Sequence, residues 1–352
     1  MPDNVVVVGA GMITAVGLSA AETAASVRSG TARFAGTSIR DKQFEPFVLA
    51  EVPEDGLPEL TEELAKEGLT AREARMLRLA TAALGECLKS LPAGEPPPGL
   101  SIALPETETT RPLEHQVFLK RLGQQTSGRF DPKWSDASHR GRAGGLAAIG
   151  QASEPIRMGR AKFMLAGGVD TYRDLYVLGT LDMKRRVKSA ANLDGFIPGE
   201  GAAFLLLADR SAASGAGLAP WGTVSVVTQT MEPGHLYSEE PYRGDGLAQA
   251  VQQLAPSGAL LGPIQEVYSS MNGENHWAKE WGVARIRSNG TFSTEHGMHH
   301  PADCYGDTGA ACGPLMAGLA ALGIKEGYRG APALVYASSD HGQRAALSVS
   351  AA

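Results

Sequence analysis

Short apolar runs alternate along the chain with stretches of helical periodicity. Val5-Val6-Val7-Val8 is a β-branched run ending in Gly9-Ala10-Gly11, so it predicts a buried strand that enters a tight turn. A helix is expected over 21–29, with Ser19 or Ala20 at its cap. Residues 33–70 are interrupted by Pro, Glu and Gly and predict a surface excursion. Between 71 and 91, apolar residues at Met76, Leu77, Leu79, Ala80, Ala83, Leu84 and Leu88 recur at helical spacing, which predicts a helix facing the interior. Residues 100–104 predict a strand after the Pro96-Pro97-Pro98 breaker. A second long helix is expected over 144–158, kinked or ended early by Pro155. Strands are predicted at 163–168, stopping at Gly167-Gly168, and at 201–208.

Segment 209–222 is rich in Ser, Ala and Gly and reads as a linker. Beyond it the plan repeats. A strand is predicted at 223–227, a helix near 247–254, a strand at 267–271 and a helix near 276–283. A long apolar helix over 312–325 and two strands, 333–337 and 345–349, complete the pattern. The chain thus divides into halves spanning 1–208 and 223–352, and this alternation predicts an α/β layered fold.

The 352 residues admit two domains or one large duplicated domain. Hydrophobic residues make up 43%, enough for a sizeable core, and the 43 glycines follow no fixed period that would indicate a fibrous chain. A net charge of −6 without a long basic block argues against a nucleic-acid partner. The densest basic run, Lys184-Arg185-Arg186-Val187-Lys188, reads as a solvated loop. No stretch approaches the roughly 18 apolar residues of a membrane span, and Met1-Pro2-Asp3-Asn4 supplies no basic leader. Cys87, Cys304 and Cys312 are odd in number and lack disulfide spacing, so a cytoplasmic location is expected.

Several motifs suggest chemistry. Gly9-Ala10-Gly11-Met12-Ile13-Thr14 resembles the start of a dinucleotide fingerprint, but Thr14 replaces the third glycine and no acidic residue ends a second strand about 20 residues on. It reads as structural, and no cofactor is expected. Glu295, His296, His299, His300, Asp303 and Cys304 are residue types that ligate zinc, yet their spacing fits no standard site and the stretch is expected to be a loop, so no metal is assigned. Cys312, among small residues, reads as a buried structural thiol, and His276 and His341 as polar packing. Asp194-Gly195-Phe196-Ile197-Pro198-Gly199-Glu200-Gly201-Ala202-Ala203 is far more particular. Gly195, Gly199 and Gly201 suit backbone conformations other residues resist, and Glu200 is placed to satisfy backbone donors in a turn.

In this setting the chain resembles the β-ketoacyl synthases of the thiolase superfamily. Residues 5–17 look like their opening strand and turn, and 149–168 like a helix and strand ending Leu-Ala-Gly-Gly. Residues 194–203 match their Asp-Gly-Phe-x-x-Gly-Glu-Gly loop, 306–313 correspond to their Gly-His-x-x-Gly-Ala-Ala-Gly segment, and 338–347 take the place of the penultimate glycine-rich turn. The resemblance implies a thiolase-like fold: five αβαβα layers, two halves related by a pseudo-twofold, and a dimer paired through the strand near Leu165. It also implies that the chain is short before the nucleophile helix and around 172–193, where the acyl tunnel is shaped.

Ketosynthases act through a cysteine thiolate at a helix N-terminus, two histidines and a lysine. Carried onto this chain, the nucleophile position is Arg142, the histidine positions are Asn272 and Asp307, and the lysine position is Ala302. A guanidinium cannot replace a thiolate, and Ser138 is the nearest hydroxyl. The resemblance therefore implies no catalytic residue. A buried cation at a helix N-terminus needs a counter-ion, so Arg142 is expected to pair with Asp307, or secondarily with Glu274. The implied function is a non-catalytic partner or adaptor, either chain-length-factor-like or associated with a bacterial secretion effector. The alternative is an acyltransferase of the 3-oxoacyl-ACP synthase type with an atypical site. The implied partners are a second copy or a ketosynthase-like paralogue, with an acyl carrier protein or a secreted effector beyond that.

Overall fold

Two rounds of one strand-and-helix order make up the structure, a computed structural model that describes residues 4–106, 113–254 and 262–352. In the first round, β1 (Val5–Thr14) leads through α1 (Ala20–Ser29) to the hairpin of β2 (Ala35–Arg40) and β3 (Pro46–Leu49). There follow α2 (Glu62–Ala65), α3 (Ala71–Cys87), β4 (Gly99–Leu104), α4 (His115–Gln125), β5 (Asp136–His139) and α5 (Gly141–Arg157). The round ends with β6 (Phe163–Thr171), α6 (Leu175–Met183) and β7 (Glu200–Asp209). Helix α7 (Arg210–Gly215) connects to the second round: β8 (Gly222–Val224), β9 (Thr228–Met231), α8 (Asp245–Leu254), β10 (Ile264–Ser269) and α9 (Asn275–Arg287). It closes with β11 (Phe292–His299), α10 (Ala302–Tyr305), α11 (Cys312–Lys325), β12 (Ala333–Ser338) and β13 (Gln343–Ser350).

The pairing repeats with the order. In the first half β1 runs antiparallel to β7 and β7 antiparallel to β6, while β6, β4 and β5 are parallel. In the second half β8 and β9 run antiparallel to β13 and β13 antiparallel to β12, while β12, β10 and β11 are parallel. Strand β8 also pairs with β1, so hydrogen bonds join the two halves into one continuous sheet. Alternation along the strands makes the layers. Val5, Val7, Leu205 and Leu347 face a shared core with α5 and α11, whereas Val6, Val8, Leu206 and Leu165 face α3 and α4. Leu334, Tyr336 and Val267 face α8 and Trp281 of α9. Three cores on two sheet faces give the five layers.

Glycines mark close approaches where turns were expected. β1 continues through Gly9 and Gly11 because α3 lies against it: a Cβ on Gly11 would meet the Ala83 carbonyl oxygen at 1.9 Å. β6 likewise runs past Gly167 and Gly168 to Thr171, and a Cβ on Gly168 would meet the Ala310 carbonyl oxygen at 2.2 Å. Gly195, Gly199 and Gly201 have ordinary torsions and serve the same spatial purpose; a Cβ on Gly199 would meet the Tyr305 carbonyl oxygen at 2.4 Å.

Other expectations change with tertiary context. The excursion over 33–70 holds a hairpin and α2, and buries Phe47, Leu49, Ala50, Val52 and Leu64. Segment 209–222 is ordered by Asp209, whose carboxylate caps α7 through the Ser211 and Ala212 amides. The strand expected over 223–227 ends at Val224, and a separate β9 follows. Leu165 lies in an interior strand with β4 on one side and β7 on the other, so it cannot pair across a dimer axis. The open end of the first half is β5. Residues 295–299 lie on β11 rather than in a loop, held by parallel pairing with β10. In the basic run, Lys184, Arg185 and Lys188 are exposed, but Arg186 and Val187 are buried.

Candidate functional site

Parallel strands direct their following loops to one end of the sheet, where layered α/β proteins place their sites. Here α5 begins just after β5, residues 272–274 follow β10, and 339–340 follow β12. Asp307 arrives after β11 and α10, where Gly306 at φ +70° turns the chain. The loop over 194–199 then fixes the backbone. Asp307 N donates to Ile197 O at 2.9 Å, Gly199 N donates to Asp307 O at 2.9 Å, and Phe196 N donates to Arg186 O at 2.9 Å. The glycine-rich motif thus holds two charged residues of the site, Asp307 and Arg186, in place.

Those residues belong to a buried ionic cluster. Arg142, the second residue of α5, donates from Nε and Nη2 to Asp307 Oδ2 at 2.8 and 2.5 Å, and from Nη1 to Asp340 Oδ1 at 2.7 Å. Arg186 forms a fork with Glu274, at 2.8 and 2.7 Å, and also pairs with Asp340. Asn272 Nδ2 bridges Asp307 Oδ2 at 2.7 Å and Glu274 Oε2 at 3.2 Å. Gly309 N donates to Asp307 Oδ1 at 2.8 Å and Trp277 Nε1 to Glu274 Oε2 at 2.9 Å. The α5 N-terminus is capped separately, with Ala143 N donating to Ser339 Oγ at 2.9 Å. The structure therefore brings Arg142, Asn272 and Asp307 together.

Electrostatics favour the ionised state of Arg142, Arg186 and Asp340. Burial works against the charge on Arg142, but Asp307 and Asp340 outweigh it and hold the guanidinium firmly protonated. Arg186 is held the same way by Asp340 and Glu274. Burial also penalises the Asp340 carboxylate, and Arg186 and Arg142 overcome this to keep its pKa well below the usual carboxylate range. Trp277 and Phe196 line the guanidiniums, with ring centres 5.3 Å from Arg142 Cζ and from Arg186 Cζ respectively. The remaining cavity, between Arg142, Tyr172, Asp170 and Asp340, measures about 30 Å³.

Two expectations about this site change. The second acid on Arg142 is Asp340; Glu274 serves Arg186 instead. Arg186 carries no family marker and Asp340 lies in a segment that matches the family only by its place, so their signal was a cation in an otherwise exposed run and an acid in a turn. Ala302 opens α10, and its carbonyl accepts from Gly306 N at 2.9 Å, outside the cluster's hydrogen bonds. Ser138 lies on β5 and its hydroxyl has no partner among the described residues. Asp194 Oδ1 accepts from Asn275 N at 2.8 Å, tying the motif to the start of α9. Glu200 sits on β7 rather than in a turn: Oε1 accepts from Val52 N at 2.8 Å and from Arg75 Nη2 at 2.6 Å.

The remaining candidates take separate roles. Cys312 is partly buried at the start of α11, and burial pushes its thiol pKa up, which disfavours the reactive thiolate. His299 Nε2 pairs with Glu266 Oε2 at 2.6 Å, His300 Nδ1 with Ser269 Oγ at 2.7 Å, and His296 Nδ1 with Ser293 O at 3.1 Å. Among the described residues no group of three or more His, Cys, Asp or Glu is arranged to hold a metal, and Glu295 and Asp303 are exposed. His276 packs between Tyr242 and Trp277, and His341 Nδ1 lies 2.8 Å from Glu106 Oε2. No helix among the described residues is long and apolar enough to cross a membrane.

Comparison with known proteins agrees with this architecture. The family described as "Beta-ketoacyl synthase, N-terminal domain" matches residues 141–213, from the start of α5 through the glycine-rich motif. A curated relative, "Actinorhodin polyketide putative beta-ketoacyl synthase 2" of Streptomyces coelicolor, is 28% identical over 202 residues, covering 53% of this chain and 47% of that protein. The match thus spans about half the length of that relative. Among solved structures, AntDE:AntF, a type II PKS acyl-carrier protein in complex with its ketosynthase bound to the hexaketide, superposes with a TM-score of 0.78 at 16% identity, covering all of both chains. The ishigamide ketosynthase/chain length factor gives 0.76 at 17% identity over 99% of each chain. This chain is a ketosynthase-like protein with the thiolase-superfamily fold.

Proposed function

We propose that the chain is a non-catalytic ketosynthase-like subunit that works as the partner of an active ketosynthase, in the manner of a chain length factor. The observation that carries this reading is Arg142, buried at the α5 N-terminus with every side of its guanidinium committed to Asp307 and Asp340. A nucleophile needs a free lone pair, which a protonated guanidinium lacks. At the positions of the two ketosynthase histidines stand Asn272 and Asp307, and the Asp307 carboxylate would repel a thioester oxyanion rather than stabilise it. The cavity left beside Arg142, about 30 Å³, has room for a water or two but not for an acyl chain. The relative and the neighbour whose names carry "synthase 2" and "chain length factor" support the paired role.

Under this reading the subunit pairs with a ketosynthase-like paralogue that supplies the thiol, and the pair is served by an acyl carrier protein. The open β5 edge of the first half is the natural place for strands to join across such a pair. Two measurements test it together. The purified chain is expected to show no acyl transfer from an acyl carrier substrate and no stoichiometric labelling by a thiol-directed ketosynthase inhibitor. From its native host it is expected to co-purify with an intact ketosynthase. Acyl transfer by the chain alone would overturn the non-catalytic part. Recovery with a toxin and secretion spike would replace the ketosynthase partner with an effector.

A further inference from the structure

A second cavity shares no lining residue with the one beside Arg142. It is a half-open cleft of about 220 Å³ between α1, α11 and the ends of β10 and β11. Its apolar lining comes from Val27 of α1, Met298 of β11 and Leu319 of α11. Two arginines border it, Arg28 in the last turn of α1 and Arg329 just beyond α11. Among the described residues neither forms an ion pair.

The arginines are nonetheless positioned. Tyr328 lies beside both, its ring centre 4.8 Å from Arg28 Cζ and 5.7 Å from Arg329 Cζ. The Arg329 guanidinium also lies close to the Tyr268 hydroxyl, while its Nε is buried without an acceptor. A buried guanidinium donor with no acceptor is costly unless a ligand or water completes it. His299 and His300 stand at the same cleft, held by Glu266 and Ser269, and burial lowers both of their pKa values, so they are neutral hydrogen-bonding groups near pH 7. The one carboxylate among the described lining residues, Asp303, is exposed.

We propose that this cleft binds a small carboxylate with an apolar body. The planar forks of Arg28 and Arg329 suit a carboxylate, and Val27, Met298 and Leu319 suit a short hydrocarbon or aromatic body. A bare phosphate would leave the apolar lining unused, and a neutral molecule would leave the arginines unmatched. The site is independent of the partner-subunit reading, so either can fail alone.

Titration of the purified chain with hexanoate, benzoate, benzyl alcohol and inorganic phosphate, followed by calorimetry or amide chemical shifts, tests the assignment. Hexanoate or benzoate is expected to bind saturably, and Arg329→Met to weaken it by about tenfold or more. Arg28→Met, at an exposed helix end, is expected to weaken it as well and serves as the variant least able to disturb the fold. Unfolding midpoints of both variants confirm that the fold is intact. Equal binding of benzyl alcohol, binding of phosphate alone, unchanged affinity in both arginine variants, or no saturable binding at millimolar ligand would each overturn the proposal.

Discussion

Two buried arginine–carboxylate clusters lie on the polar ends of the same sheet, and they differ in their balance of charge. In the first, Glu200 is the single buried acid. It accepts from Val52 N at 2.8 Å, from Arg75 at 2.6 and 3.1 Å, and from Thr171 Oγ1 at 2.7 Å, so one carboxylate meets one guanidinium and two neutral donors. In the second, Asp307, Asp340 and Glu274 meet Arg142 and Arg186, three acids to two bases, with Asn272 bridging the surplus. A one-to-one cluster is a brace: removing either partner strands the other. A cluster with an excess acid tolerates the loss of one carboxylate but depends heavily on each cation. That dependence accords with the proposed non-catalytic role, in which the site is filled by charge rather than kept open for chemistry.

The comparison can be broken by single substitutions. Arg142→Met is expected to have the largest effect, because it leaves three buried carboxylates facing Arg186 alone. Stranding buried charge costs about 3–5 kcal/mol, and this variant should fall at the upper end in urea unfolding. A loss no greater than that of a surface ion pair would show that the cluster is not buried in solution. Glu200→Gln comes next, at about 2–3 kcal/mol, since Arg75 then keeps only the largely exposed Glu54 as an anion. Asp340→Asn is expected to cost less, about 1–2 kcal/mol, because Arg142–Asp307 and Arg186–Glu274 remain matched. If Asp340→Asn proves more damaging than Glu200→Gln, the charge count is the wrong basis for the contrast.

What the sequence disclosed follows the same division. Helix α11 runs over 312–325 as its apolar pattern predicts, and α1 starts just after Ser19, whose hydroxyl caps it. Local periodicity and capping suffice there. They failed at Gly9, Gly11, Gly167 and Gly168, because the need for glycine came from Ser90, α3, Phe204 and Ala310, distant in sequence. They also missed β5 and β11, short or polar strands defined by their neighbours rather than by their own residues. In the site, Asp307 was legible because it stands inside a family motif, and Arg142 because it lies at a fixed count before one. Arg186 was hidden by exposed basic neighbours, and the bridge from Phe196 ties its backbone to the glycine-rich motif. The Glu280–Arg344 pair, also buried, joins α9 to β13 across 64 positions of sequence, a separation that no local pattern signals.

Acid titration offers the finest test of the contrast. Arg186 and Arg142 hold the Asp340 carboxylate below its unfolded value, near 3.9. The unfolded chain therefore takes up this proton first. The stability Asp340 contributes is complete above about pH 4 and is lost as pH falls from there toward its folded pKa. Burial acts in the opposite sense on Asp170, Glu86 and Glu280, whose pKa values are raised, so the acid limb of the native protein mixes both signs. The difference between native protein and Asp340→Asn isolates the one group. That difference is expected to be constant between pH 5 and 7 and to shrink steadily below about pH 4. A gap that stays constant down to pH 2 would mean that Asp340 carries no lowered pKa, and that the cluster sheds its surplus acid elsewhere.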